Sequence, residues 1–407
     1  MKTIKLLHIS DLHRGDSKNK EFVGEHKDPA VSKSFAGTIT APMEIDFVEA
    51  IKNWQKLHGA IDAIICTGDL GEKGDADKIL EGVSFINLLQ KELSISSDNV
   101  LICPGNHDAD RNKTEDDVFS GFSSALTEYG YKDHQYDLTP FSINGIPFIV
   151  MNTSLGASEK SLFVLKYKEL ISVLDAKDQS LFKEEVEKSG MQFLNDCLDI
   201  PAVTNKQRQR VLNAITQIDT TFVVLIMHHN LIPCNTVEIR PYSSVIDAGK
   251  TLDQLKDTDK DLLILHGHVH FPSSSILRWP RSVSSVSSVG SGLFNETSSS
   301  SVNVIELFCS DEGDHLITVV YEYIKQVNGF KFNKSFCIYH SQITEDVSSV
   351  LNLFESDPGK GIIFSKIKEQ AKCSERDLLR IVLSNDSLFS VSRNKSINVD
   401  DWVIHRK

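Results

Sequence analysis

Residues 100–108 read Val-Leu-Ile-Cys-Pro-Gly-Asn-His-Asp. An apolar run of strand length stops at Pro104 and Gly105 and turns into Asn106, His107 and Asp108, three side chains with metal-ligand and acid–base chemistry. The same grammar occurs at four other places. Ile4 to Ile9 leads into Asp11 and His13, and Ala63 to Cys66 leads into Thr67-Gly68-Asp69. Phe222 to Met227 leads into His228-His229-Asn230, and Leu262 to Leu265 into His266-Gly267-His268-Val269-His270. Apolar runs this short, bounded by Gly, Pro, Asn and Asp, fit buried strands better than helices. Amphipathic helical stretches lie between several of them, such as Ile45 to Leu57 and Lys78 to Leu93. Strands alternating with helices predict an α/β core whose ligands gather at one end of the strands.

The chain of 407 residues has room for one large core and a smaller one. With 40% apolar and 24% charged residues it has the composition of a globular protein. A formal charge of −13 argues against a broad basic surface that grips nucleic acid through phosphates alone. It leaves a nuclease open, because metal ions supply positive charge locally. No stretch reads as a signal peptide, and the longest apolar runs fall far short of the ~20 residues of a membrane helix. The seven Cys form no CxxC pair, and Cys66 and Cys103 read as buried thiols. A reduced, cytoplasmic protein is expected.

Residues 158–198 are charged and helix-prone, with Leu162, Leu165, Leu170 and Leu174 at helical spacing, and read as a helical insertion. It either packs on the core, caps the site or meets a partner. Thr204 is the expected N-cap of the next helix. The Ser-rich stretches 282–291 and 297–301 read as strands and a turn, and the β pattern runs to about 340. From about 345 the character changes. Phe364 to Ala371 reads as a helix, Ser374 to Asp377 as the capped start of another, and Leu388 to Val391 with Ser396 to Val399 as a hairpin. Helix, helix and hairpin resemble a winged helix-turn-helix. Residues 345–407 carry ten basic and ten acidic residues, but 359–395 carry eight against four. Arg376, Arg380, Arg393 and Lys395 therefore offer nucleic-acid contact, with protein contact as the alternative.

Asp11-Leu12-His13, Gly68-Asp69, Gly105-Asn106-His107-Asp108, His228 and Gly267-His268-Val269-His270 together resemble the signature of the calcineurin-like metallophosphoesterase superfamily. The resemblance spans residues 4 to about 270. It implies a four-layer α/β/β/α sandwich of two mixed sheets over 1–342, followed by the small winged-helix-like α+β module of 345–407. Asp11, His13 and His270 would then hold one divalent ion, and Asn106, His228 and His268 a second. Asp69 would bridge both, His107 would meet the scissile phosphate, and Asp108 would orient the His107 imidazole. His229 is the alternative to His228.

The chemistry is coherent on its own terms. Two dications sit ~3.5–4 Å apart only with anions between them, which a bridging carboxylate and a hydroxide provide. Asp11 and Asp69 leave a net positive site that suits a phosphate ester and lowers the pKa of bound water. Nitrogen and oxygen donors fit Mn, Fe, Zn or Ni, with Mn favoured. His8 and His266 read as core or supporting residues. Arg111, Arg240 and Tyr242 are candidate substrate contacts. The expected activity is hydrolysis of a phosphodiester of nucleotide or nucleic-acid type. A nuclease resembling the double-strand-break repair branch, a phosphomonoesterase, and a non-catalytic scaffold are the alternatives.

Overall fold

The computed structural model describes residues 2–14, 42–113, 116–135, 139–158, 200–233, 243–278, 282–290, 300–310, 313–326, 329–338, 349–350, 353–354, 361–384, 389–393, 396 and 398–406. The expected insertion at 158–198 falls outside them from residue 159 onward, as do Arg240, Tyr242 and Lys395.

Short apolar runs become strands. In chain order the elements are β1 (Lys2–Ile9), α1 (Pro42–His58), β2 (Ala63–Cys66), α2 (Ala76–Glu92), β3 (Val100–Ile102), α3 (Ser120–Glu128), β4 (Phe141–Ile143) and β5 (Ile146–Val150). Then come α4 (Asn205–Thr216), β6 (Phe222–Ile226), α5 (Ala248–Lys256), β7 (Asp261–His266), β8 (Ser274–Arg278), β9 (Ser282–Ser287), β10 (Ser301–Cys309), β11 (His315–Gln326) and β12 (Gly329–Ile338). The last stretch holds β13 (Ile362–Ile363), α6 (Phe364–Ala371), α7 (Glu375–Ser384), β14 (Phe389–Ser392) and β15 (Val403–Arg406). Thr204 caps α4 as expected, its side chain accepting from Gln207 N.

One sheet runs β12-β11-β10-β1-β2-β3 and the other β4-β5-β6-β7-β9-β8. Both are mixed: β1, β2 and β3 are parallel, as are β5, β6, β7 and β9, with antiparallel strands completing each sheet. Alternation sorts the side chains into layers. Ile4 and Leu6 of β1 and Ile65 of β2 meet Phe148, Val224, Ile226, Leu263 and Leu265 of the second sheet. Leu7 and Ile9 point the other way, into α1, α2 and α3. Val223, Leu225, Leu262 and Ile264 pack against α4 and α5. The result is the four-layer α/β/β/α order. Each such fully buried aliphatic side chain contributes roughly 1.5–3 kcal/mol.

The residues after 345 pack on the helix-side face of the first sheet, where Phe308, Ile317 and Val319 share one apolar cluster with Phe364, Leu378, Trp402 and Ile404. The small sheet there runs β13-β15-β14. One expectation fails. Ser396 to Val399 does not pair with β14; the partner is β15, with Val391 opposite Ile404. The reason is local: the Asn398 side chain accepts Asp400 N and starts a 3-10 turn at Val399–Asp401, so the chain turns before it pairs.

A buried charge sits at the seam between the two parts. Lys5 and Glu306 face each other across β1 and β10. Arg393 forms a two-pronged ion pair with Glu306, with Nη2 2.8 Å from Oε2, and also donates to Tyr321 Oη at 2.9 Å. Its guanidinium lies 4.7 Å from the Trp402 ring centre. Burial alone would raise the Glu306 carboxyl, yet Arg393 outweighs it and holds Glu306 below its usual range. His58 stacks on Trp54 beside this cluster at 4.6 Å. Burial and then the charge of Arg393 push its imidazole down to about 4. Among the described residues no helix is long and apolar enough to cross a membrane.

Arg393→Leu strands Glu306 in the core, so the unfolding free energy should fall by about 3–5 kcal/mol in urea titrations. The double variant with Glu306→Leu should recover much of that loss; equal losses would show that the pair contributes nothing. The folded protein resists protonating His58 until about pH 4, whereas the unfolded chain takes up that proton below about 6.5. Each step down in pH through that window therefore favours unfolding. Thermal melts should show His58→Phe losing less stability than the wild type between pH 6.5 and 4.

Candidate metal centre

The strand ends β1, β2, β3, β6 and β7 deliver every residue of the expected ligand set to one place. Backbone bonds lock the loops together: Asp11 N donates to Gly68 O at 2.9 Å, His13 N to Asp69 O at 2.9 Å, and Gly267 N to His228 O at 3.0 Å. The turns are tight. Asp11, His13, Asp69, His268 and His270 all hold positive φ, between 47° and 75°. That left-handed backbone is unfavourable for residues with a Cβ and persists only where the surroundings enforce it. At Gly105 a Cβ would meet Asp69 Oδ1 at 2.0 Å, and at Gly267 it would meet Ser10 Oγ at 1.9 Å. Only glycine fits either place.

Hydrogen bonds set the imidazole tautomers. His228 Nδ1 faces the Thr67 carbonyl at 2.7 Å, which only accepts, so the proton sits on Nδ1 and Nε2 keeps its lone pair. Nε2 then lies 3.0 Å from Asn106 Oδ1 and 3.1 Å from Asp69 Oδ2. His13 Nδ1 faces Glu72 Oε1 at 2.5 Å, which leaves the Nε2 lone pair 3.6 Å from Asp69 Oδ2 and 2.8 Å from His270 Nε2. His270 Nε2 is in turn 3.4 Å from Asp11 Oδ1. Lone pairs facing lone pairs at these separations repel unless a cation lies among them. The donor set therefore fits divalent metal ions, with Asp69 between the two groups.

Two of the site's buried carboxyls behave oppositely. Burial would raise Asp69, but His228, His107 and His13 outweigh it and hold it well below the usual carboxylate range. Asp108 is pushed up to about 7 by burial and then by the charge of Asp69. His228 goes up to about 9, burial opposing and Asp69 prevailing, whereas burial and then His228 press His268 down to about 3.

The family model described as Calcineurin-like phosphoesterase matches residues 4–272. The chain belongs to that family. It is a metal-dependent phosphoester hydrolase. No curated protein matches the sequence. Among solved structures it is similar to a dimetal phosphatase of Danio rerio, with 12% identity and a TM-score of 0.50 over 83% of this chain and 99% of that one. It is also similar to a purple acid phosphatase from yellow lupin (Lupinus luteus) seeds, with 11% identity and a TM-score of 0.42 over 83% of this chain and 54% of that one. The first likeness is one of fold.

Placed in this calcineurin-like frame, one sequence expectation needs correction. Asp108 does not orient His107. Its Oδ1 accepts Leu70 N at 2.9 Å and Gly71 N at 3.1 Å, and its Oδ2 accepts Gly105 N at 2.9 Å. These bonds tie the loop after β2 to the loop after β3. The residue that holds the His107 imidazole is Glu72, whose Oε2 lies 2.8 Å from Nδ1. Glu72 thus grips His13 with one oxygen and His107 with the other. Burial would raise its carboxyl, but the bonds from His107 and His13 keep it far below the usual range. Sequence reading passed over Glu72, although it stands only three residues after Asp69 in Gly-Asp-Leu-Gly-Glu.

The remaining residues are placed as follows. His8 is buried, meets Thr67 Oγ1 at 3.2 Å, and is held neutral by burial, its pKa down to about 3. His266 is buried beside the Gly267 carbonyl and belongs to none of the ligand clusters among the described residues. Arg111 is half-buried. Arg380 is buried and Arg393 is engaged by Glu306, so neither offers its charge to a polyanion.

Glu72→Gln should lower kcat on bis(p-nitrophenyl) phosphate about 100-fold with little change in melting temperature. Asp108→Asn should instead lower stability by about 1–3 kcal/mol, because an amide nitrogen in place of Oδ2 leaves the buried Gly105 N–H without its acceptor. Indistinguishable profiles for the two variants would show that their roles are not separate.

Proposed function

We propose that the protein hydrolyses a phosphodiester of nucleotide type at a dinuclear centre. Asp11, His13 and His270 would hold one ion, Asn106, His228 and His268 the other, and Asp69 would serve both. The observation that carries this reading is the convergence of lone pairs around Asp69, with His13 Nε2 on one side and His228 Nε2 on the other. Two divalent ions held there would supply hydroxide near neutral pH and positive charge for the phosphoryl oxygens. Mn is the favoured metal among Mn, Fe, Zn and Ni.

The chain's own residues do the rest. His107, its Nδ1 given to Glu72, is left with Nε2 to hold a proton at the leaving oxygen. Asp108 fixes the loops that carry Asp69 and His107. Phe271 follows His270 and is 48% exposed, an aromatic face at the rim that a base can stack on. The charge of −13, with Arg380 buried and Arg393 paired, favours a small nucleotide over a nucleic acid. Residues 1–342 form the catalytic domain in this reading, and 345–407 a contact module in a cytoplasmic protein.

A substrate panel on Mn-loaded protein tests it, comparing a generic diester, cyclic nucleotides, a phosphomonoester, and single- and double-stranded DNA. Small diesters should turn over, chelation should abolish turnover, and Asp69→Asn should lower it by at least 100-fold. Cleavage of DNA alone would overturn the substrate assignment, and an unimpaired Asp69→Asn variant the ligand assignment.

A further inference from the structure

β1 sends Ile4 and Leu6 between the two sheets, and the same alternation puts residue 8 there as well. The side chain at that place is an imidazole. His8 is fully buried, with Ile65 of β2 and Asn303 of β10 as its cross-strand neighbours. Its Nδ1 has no hydrogen-bond partner among the described residues. The contact of Nε2 with Thr67 Oγ1 at 3.2 Å is therefore what offsets burying the ring. An aliphatic residue would fill this layer at lower cost, so what the imidazole contributes is its hold on Thr67.

Thr67 stands where that hold matters. Thr67 and Gly68 form the turn between β2 and Asp69, and their backbone is committed to the site. The Thr67 carbonyl faces His228 Nδ1 at 2.7 Å, and the Gly68 carbonyl accepts Asp11 N at 2.9 Å. Space is short, since a Cβ at Gly68 would meet Gly105 N at 2.6 Å and His228 Nδ1 at 2.8 Å. The turn offers one side chain to grip, the fully buried hydroxyl of Thr67, and His8 is its hydrogen-bond partner.

We infer that His8 is a positioning residue for the metal centre: by fixing Thr67 it sets the carbonyl that orients His228. The inference rests on the dinuclear reading of the site, in which His228 holds an ion. A group that orients a ligand at one remove is commonly worth about 10–100-fold in metal affinity.

The test measures Mn affinity by equilibrium dialysis, and melting of the metal-free protein, for wild type, Thr67→Val, Thr67→Ser, His8→Phe and the double variant Thr67→Val/His8→Phe. Thr67→Val keeps the branched shape but loses the hydroxyl, and should bind Mn about tenfold more weakly. Thr67→Ser, which restores the hydroxyl, should regain most of that loss. His8→Phe should weaken Mn by a similar factor, and the double variant by no more than either single change, because both remove the same contact. A purely structural role predicts a lower melting temperature at unchanged Mn affinity. That result would overturn the inference, as would factors that multiply in the double variant. Should His8→Phe fail to fold, Thr67→Val and Thr67→Ser decide: weaker binding restored by Ser supports the role, and equal binding in both refutes it. A wild type that holds fewer than two Mn per chain would overturn the dinuclear reading and this inference with it. Two Mn held with equal affinity in every variant would overturn the inference alone.

Discussion

The site depends on the carboxylate of Asp69. Its Oδ1 accepts His107 N at 2.8 Å, and its Oδ2 lies near Nε2 of both His13 and His228. His13, Asp69 and His107 extend from the first sheet, whereas His228 extends from β6 of the second. One side chain therefore spans the sandwich, and the packing between the sheets sets the distances among these groups. A buried charge of this kind is tolerable only when fully partnered. The left-handed turns at Asp11, His13, Asp69, His268 and His270 and the bare backbone at Gly105 and Gly267 follow from that need.

Much of this was legible because strand burial and ligand placement write to the same stretches. A run such as Phe222 to Met227 must be apolar to lie between layers, and the first polar residue after it lies at the strand end. Strands that lead into no ligand-type residue escaped. The β4–β5 hairpin turns at Asn144-Gly145, both at positive φ, the turn that an Asn-Gly pair favours between paired strands. The apolar run Ile146 to Met151 is there too, but it leads into Asn152 and Thr153 and not into a ligand-type cluster. The misread hairpin at 396–399 failed for the opposite reason, since alternation there is overruled by one Asn side chain capping a turn.

The roles of the two acidic residues near His107 could not be read from spacing. Asp108 adjoins the histidine in sequence but turns its oxygens to the backbone of a neighbouring loop. Glu72 lies thirty-five positions away and reaches the ring only because Asp69 and Asn106 end adjacent parallel strands. Proximity along the chain is a poor guide wherever the ligands come from different strands.

The Lys5–Glu306–Arg393 seam bears on how this architecture can be inherited. β1 carries Lys5 in its middle and delivers Asp11 and His13 just beyond its end, so the same strand serves both the tail's anchor and the candidate metal site. A recombination that exchanged the last sixty residues for an unrelated module would leave a carboxylate without its guanidinium beneath the new partner. It would succeed only if the newcomer brought a cation to the same spot or if Glu306 changed in the same step. The tail is thus less a detachable accessory than a lineage-bound companion of the catalytic core.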